Sequence, residues 1–169
     1  MGRHAYFAYG TTQRGFAHHR PALLGDPVAR CRTACAHAVV VPRRAACNNP
    51  GCPYLHRMAA LVPGLEPLRV EGDLFLVSDA ALAELDRLET GAGAPYTRAT
   101  VAVMSAEGER EAYAYLAREP ERWRALVAAG GAEALAAYPR DLAGEQALKA
   151  CCVRTPGHAP PHDVIDPFA

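Results

Sequence analysis

The chain carries no net charge: 18 Lys and Arg balance 18 Asp and Glu over 169 residues. Without a basic excess there is little to hold a phosphate backbone or an anionic lipid surface, so neither nucleic acid nor membrane is expected as a partner. The small basic clusters at Arg43-Arg44 and between Arg118 and Arg124 read as solvated faces, the second being interrupted by Glu119 and Glu121. No apolar run approaches the ~20 residues that a membrane helix needs. The first ten residues, Met-Gly-Arg-His-Ala-Tyr-Phe-Ala-Tyr-Gly, lack the apolar segment of a secretory signal, and Tyr6 stands where a myristoylation pattern needs Ser or Thr. These absences describe a soluble, cytoplasmic protein. Two further features are missing: any internal repeat, and any regular alternation of strands with helices. The second argues against a parallel, doubly wound sheet and for an α+β fold, a mostly antiparallel or mixed sheet that curls into a small barrel.

Half of the residues are apolar, enough for one domain with a proper core. The reading assigns residues 1–154 to that domain and 155–169 to a Pro-rich, irregular tail. Aromatic-rich His4 to Tyr9 is the first buried strand, and Gly10 ends it. A short helix is expected over 17–24, and strand-like runs between Val28 and Val41. Leu68 to Val77 is a strong strand with Gly72 as a bulge or a close approach. Tyr96 to Met104 and Glu111 to Leu116 make a hairpin around Glu107-Gly108-Glu109. Pro120 opens a helix with Trp123, Leu126 and Val127 inward, ended by Gly130-Gly131. Helical stretches are expected at 132–138 and 142–152.

Candidate chemistry centres on the run from Leu85 to Arg98. Ser78 has the character of an N-cap and Asp79 of a first-turn acid, so a helix should run from Asp79 to about Leu88, with Leu82, Leu85 and Leu88 on its inner face. Glu89 then falls at the edge of that face, four residues after Leu85. Partial desolvation and the negative end of the helix dipole both disfavour its charged form and raise its pKa. A carboxylate so placed can become a base near neutral pH; the other reading of the local pattern is a Glu that frays into water at the helix end. Asp86 lies on another face of the helix and is expected to matter only if it anchors that helix. At the other end of the sequence, Tyr9-Gly10-Thr11-Thr12 leaves a strand through a sharp turn, where successive N–H groups can form an anion-binding nest.

Taken in order, these pieces resemble one family. Phe7-Ala8-Tyr9-Gly10-Thr11, then Gly15 and His18, Val70-Glu71-Gly72-Asp73-Leu74-Phe75, Leu85-Asp86-Arg87-Leu88-Glu89, Tyr96-Thr97-Arg98 with Val101 and Val103, and Ala112-Tyr113-Ala114-Tyr115 occur as in the γ-glutamylcyclotransferase-like proteins, which include γ-glutamylamine cyclotransferases and butirosin-type γ-glutamyl deblocking enzymes. The resemblance implies a small-molecule γ-glutamyl substrate, release of 5-oxoproline plus a free amine, and no cofactor. It implies Glu89 as general acid/base and Tyr9, Gly10, Thr11 and Thr12 as the binding loop for the α-carboxylate and the oxyanion. It also implies Tyr115 in the pocket and Tyr96 and Arg98 in support of the Glu89 loop. Thr12 replaces a Leu usual in the family, so its side chain is expected to be a spectator.

The stretch from Cys31 to His56 has no counterpart in that resemblance. Cys47 and Cys52, followed by His56, sit in a Pro- and Gly-containing loop, and Cys31 and Cys35 could complete a zinc site, although Cys-x2-Cys spacing is absent. Reduced thiols are the other reading, and a Cys47–Cys52 disulfide is disfavoured in a reducing compartment. Adjacent Cys151 and Cys152, at the end of the expected 142–152 helix, read as one buried and one exposed thiol. A non-catalytic, zinc-bearing binding module on the same fold is therefore the alternative to the enzyme.

Overall fold

A computed structural model describes residues 2–16, 18–43, 52–58, 67–91 and 94–139. Cys47, Cys151, Cys152, the expected 142–152 helix and the 155–169 tail lie outside the described residues. In chain order the elements are β1 (Arg3–Ala8), α1 (Pro21–Leu24), β2 (Ala29–Thr33), β3 (His37–Pro42), β4 (Tyr54–Arg57), β5 (Glu71–Ser78), α2 (Asp79–Glu89), β6 (Tyr96–Ser105), β7 (Gly108–Ala117), α3 (Pro120–Ala128) and β8 (Ala132–Leu135).

Five strands close on themselves. β1 pairs antiparallel with β5, β5 with β2, β2 with β6 and β6 with β7, and a parallel contact of Tyr6 with Tyr113 returns β7 to β1. This is the expected mixed sheet curled into a small barrel. Strand alternation fills it: Phe7, Cys31, Leu74, Val101, Val103, Ala112 and Ala114 belong to one buried cluster, while their neighbours Tyr6, Ala8, Phe75, Val77 and Tyr115 belong to a second, beneath α2. Gly72 is required by close approach, since a Cβ there would stand 2.3 Å from the Ala8 carbonyl oxygen and 2.5 Å from the Phe7 ring.

β7 has two partners along one edge. β1 lies beside it at Tyr113, and β4 lies beside it at Leu116. From β4 the sheet continues through β3 to β8, over a third cluster containing Trp123. Tyr115 therefore stands where β1 leaves and β4 takes over. This fork positions the site.

α2 forms for the reasons read from its sequence. Ser78 is extended and its Oγ accepts the Ala81 N–H at 3.2 Å. Ala81, Leu82 and Leu85 are buried, and Leu88 is half-buried. The 17–24 helix shrinks to the single turn of α1, opened by Pro21 and closed by Gly25 at φ 70. One expectation is overturned: 132–135 is a strand, not a helix. Ala-Glu-Ala-Leu has good helix propensity, but the exposed edge of β3 supplies a ladder from Val39↔Leu135 to Pro42↔Ala132, and that pairing decides the backbone.

Candidate active site

One pocket opens at the fork. Its walls include Tyr6, Tyr9, Gly10, Thr11, Thr12, His18, Arg20, Leu23, Leu24, Pro53, Leu85, Leu88, Glu89, Tyr96 and Tyr115. Seven of the eight residues singled out from the sequence, all but Arg98, are thus brought together from β1, α2, β6 and β7 or the residues beside them.

The turn after β1 is built by its own backbone. Gln13 N–H donates to Gly10 O at 3.1 Å, Phe16 N–H to Gln13 O at 3.1 Å and His18 N–H to Thr11 O at 3.0 Å. Among the described residues none accepts from the N–H groups of Gly10, Thr11 or Thr12. The turn thus lines the pocket with N–H groups that no described residue accepts from, the feature an anion nest requires. Gly10 is needed for a reason the sequence did not reveal: a Cβ there would lie 2.5 Å from Cγ of Pro53, which packs directly against it. Pro53 is held in turn by the Tyr96 hydroxyl, which donates to its carbonyl at 3.0 Å. Thr12 is not a spectator. Its Oγ1 shares a hydrogen bond of 3.0 Å with the Tyr6 hydroxyl, and Thr11 Oγ1 does the same with His18 Nδ1. Both hydroxyls tie the turn to its surroundings.

Glu89 is the last residue of α2, and the turn beneath it is locked. Thr90 N–H and the Thr90 hydroxyl both donate to Asp86 O, each at 2.8 Å. Burial among Tyr6, Tyr9, Leu85, Leu88 and Tyr115 pushes the Glu89 carboxyl up to about 7, and the nearby Arg20 guanidinium pulls it partly back. The phenols of Tyr6 and Tyr9 are pushed well above the ordinary tyrosine range, first by burial and then by the Glu89 charge. Tyr115 is raised by burial and by Asp86. All three stay neutral. They stand around the acid as fixed dipoles, with the Tyr9 hydroxyl anchored on Tyr115 O at 2.6 Å.

Arg98 acts at one remove. Its guanidinium pairs with Asp86 Oδ2 and lies 4.8 Å from the centre of the Tyr113 ring, while Asp86 Oδ1 accepts the Tyr115 hydroxyl at 3.0 Å. Asp86 is thus an anchor between α2, β6 and β7. Arg20, Tyr6 and Pro53 line the pocket without having been singled out from the sequence. Tyr6 could have been found by pairing it with Ala8 on the strand face opposite Phe7. Nothing local marks Arg20 or Pro53.

The cysteine-rich stretch does not join this pocket. Cys31 is buried in the barrel cluster, Cys35 is exposed, and Cys52 lies in the cluster around Trp123. His56 is buried with its ring centre 5.6 Å from that of Trp123, and desolvation lowers its pKa to about 4. Among the described residues no three His, Cys, Asp or Glu side chains gather as metal ligands. Among the described residues, too, no helix is long and apolar enough to cross a membrane.

Comparison with solved structures finds the same fold. An AIG2-like protein of Mus musculus superposes with a TM-score of 0.58 at 20% identity, over 82% of this chain and 90% of that one. A protein of Arabidopsis thaliana gives 0.51 at 16% identity over 77% and 86%, and a chain described as a gamma-glutamyl cyclotransferase gives 0.50 at 15% over 93% and 91%. No curated protein sequence matches. Residues 6–131, however, match the sequence profile described as gamma-glutamyl cyclotransferase, AIG2-like. That match runs from Tyr6 through Glu89 to Tyr115, most of the chain and all of the pocket, and the chain belongs to the gamma-glutamyl cyclotransferase, AIG2-like family.

Proposed function

We propose that the protein is a γ-glutamyl cyclotransferase, cleaving a γ-glutamyl amide into 5-oxoproline and a free amine. The observation that carries this reading is a carboxylic acid with a pKa of about 7 lining one pocket with a turn whose N–H groups no described residue accepts from.

A γ-glutamyl amide contains its own nucleophile, the α-amino group, which is protonated and inert in water near neutral pH. Glu89 accepts one proton from that ammonium. The freed nitrogen attacks the γ-carbonyl carbon and closes a five-membered ring, placing negative charge on the carbonyl oxygen. The N–H groups of Gly10, Thr11 and Thr12 stabilise that charge and contact the α-carboxylate. Collapse of the intermediate breaks the bond to the leaving nitrogen, which takes up the proton Glu89 received. The ring nitrogen gives its own extra proton to the regenerated Glu89 carboxylate, from which it passes to the departing amine as that leaves as an ammonium. The new C–N bond replaces the old one, and no water, metal or enzyme nucleophile enters the balance. Holding the chain in its ring-closing conformation is the larger part of the task, since well-oriented intramolecular attack reaches effective molarities of about 10⁵–10⁸ M. A pKa near the working pH suits a group that must both take and return the proton. Tyr115 borders the reacting group, Tyr96 holds Pro53 against Gly10, and Arg98 supports α2 through Asp86.

The test is a panel of γ-glutamyl conjugates, of simple amines, of amino acids and of larger biosynthetic intermediates, assayed for 5-oxoproline. Release from any member supports the reading and identifies the leaving group. Silence across the panel would favour a binding module on this fold.

A further inference from the structure

Arg20 is the only guanidinium or ammonium group among the described residues of the pocket wall. It is half-buried, and its position is set by backbone. Its carbonyl accepts the N–H groups of Leu23 and Leu24, each at 2.9 Å, and Pro21 follows it as the first residue of α1. With α1 packed on β5, the Arg20 charge is felt by both Glu84 and Glu89 of α2. Glu84 already has a partner, since both of its carboxylate oxygens accept from Arg87 at 2.7 Å. Glu89 makes no ion pair with any described residue, and neither does Arg20. An acid and a guanidinium therefore face one cavity, within electrostatic reach, without closing on each other.

A half-buried guanidinium that no described residue pairs invites an anion, and its planar fork matches a carboxylate. Building on the γ-glutamyl reading, we infer that Arg20 is a specificity-determining residue that binds the substrate's α-carboxylate while Glu89 faces the α-ammonium. The two substrate charges sit on neighbouring atoms of one carbon centre. A site for them needs opposite charges that are close but apart, which is the relation of Arg20 to Glu89. The N–H groups of the 10–12 turn add hydrogen bonds to that carboxylate but no net charge, and with Arg20 in place they remain available to the developing oxyanion. The same wall bears on the leaving group. With Arg20 engaged at the α-carbon, no second guanidinium or ammonium among the described wall residues remains for a carboxylate on the departing amine. Leu23, Leu24, Leu88 and Pro53 supply apolar surface instead.

The experiment compares two substrates that differ only at that carboxylate: γ-glutamyl methylamide, which yields 5-oxoproline, and 4-aminobutanoyl methylamide, which yields 2-pyrrolidinone. Both are assayed with the native enzyme, Arg20→Gln and Arg20→Lys, above the pH at which Glu89 ionises. The expected result is a loss of about 10- to 100-fold in kcat/KM on γ-glutamyl methylamide for Arg20→Gln, the range of a hydrogen bond to a charged group. Arg20→Lys should be intermediate, and the 4-aminobutanoyl substrate should be little affected by either. Equal losses on both substrates would overturn the assignment, because Arg20 would then act through Glu89 or the fold. So would an undiminished rate on γ-glutamyl methylamide. A second arm measures binding of 5-oxoproline and 2-pyrrolidinone by titration calorimetry. The native protein should prefer the acid, and Arg20→Gln should lose that preference. If the native protein turns over neither of these substrates, the cyclotransferase reading falls only with silence across the whole panel above, and in either case the binding arm decides Arg20: a preference that vanishes in Arg20→Gln supports the carboxylate site, and its absence or persistence refutes it.

Discussion

The Tyr115 hydroxyl donates to Asp86 Oδ1 across 3.0 Å, joining β7 to α2 one turn before Glu89. The other Asp86 oxygen is held by Arg98 of β6. The helix that ends in the candidate base is thus fixed laterally by an ion pair and a phenol, as well as by its buried leucines. Asp86→Asn should lower kcat by roughly 10-fold, since small displacements of a catalytic group cost up to about 10² in rate. KM should change little, and the pH profile should keep its shape because Glu89 is untouched. Steady-state kinetics of this variant check the point. An unaltered kcat would make Asp86 the bystander that its helical face first suggested.

Gly10 offers a steric test of the turn. Gly10→Ala would drive a methyl group to 2.5 Å from Pro53 Cγ. Either Pro53, tied through its carbonyl to Tyr96, or the turn itself must move. Overpacking of this kind costs about 1–3 kcal/mol, and the displaced N–H groups should reduce kcat/KM by about 10². Denaturant melts and kinetics on one preparation separate the two effects.

The acid limb of the rate profile should report Glu89. Its carboxyl titrates at about 7, so kcat/KM should rise with pH through that region. Arg20 lowers this value, so Arg20→Gln should move the limb to higher pH. Among the groups around Glu89, Tyr6, Tyr9 and Tyr115 stay neutral there and should not contribute. A limb that does not move in Arg20→Gln would contradict the coupling.

Stability should show the same carboxyl with opposite sign. Glu89 has its pKa raised on folding, from 4.5 to about 7. The folded chain therefore binds more protons than the unfolded one in that interval, and Glu89 costs stability progressively as pH rises through it. Glu89→Gln should gain up to about 3 kcal/mol above neutrality, at 1.36 kcal/mol per pKa unit. His56 works the other way. Its pKa falls on folding from 6.5 to about 4, so the folded state loses stability as pH drops through that window. Thermal melts of Glu89→Gln and of His56→Phe against pH distinguish the two slopes.

Local features of the sequence carried the helix that ends in Glu89. The Ser78 cap, the leucine spacing and the position of Glu89 are all set within about a dozen residues, and the structure reproduces them. The turn after β1 was legible as a possible nest, but the reason for its Gly was not, because Pro53 reaches Gly10 from 43 residues away. The 132–135 segment misled because its propensity is helical and its partner β3 lies some 95 residues earlier in the chain. Arg20 was illegible for a similar reason. Only the folding of the α1 segment onto β5 brings its charge within reach of Glu89. Side chains that meet across the barrel leave no periodic trace in either segment alone.

The central claim is that Glu89 carries the proton from the substrate's ammonium to the leaving amine, and Glu89→Gln tests it most directly. Gln preserves the size and one acceptor but cannot take a proton at working pH. The measurement is 5-oxoproline release from the best γ-glutamyl substrate, alongside binding of that substrate to the same variant. The account predicts a loss of at least about 10²–10⁴ in kcat with binding retained. Turnover of Glu89→Gln at the native rate would contradict it.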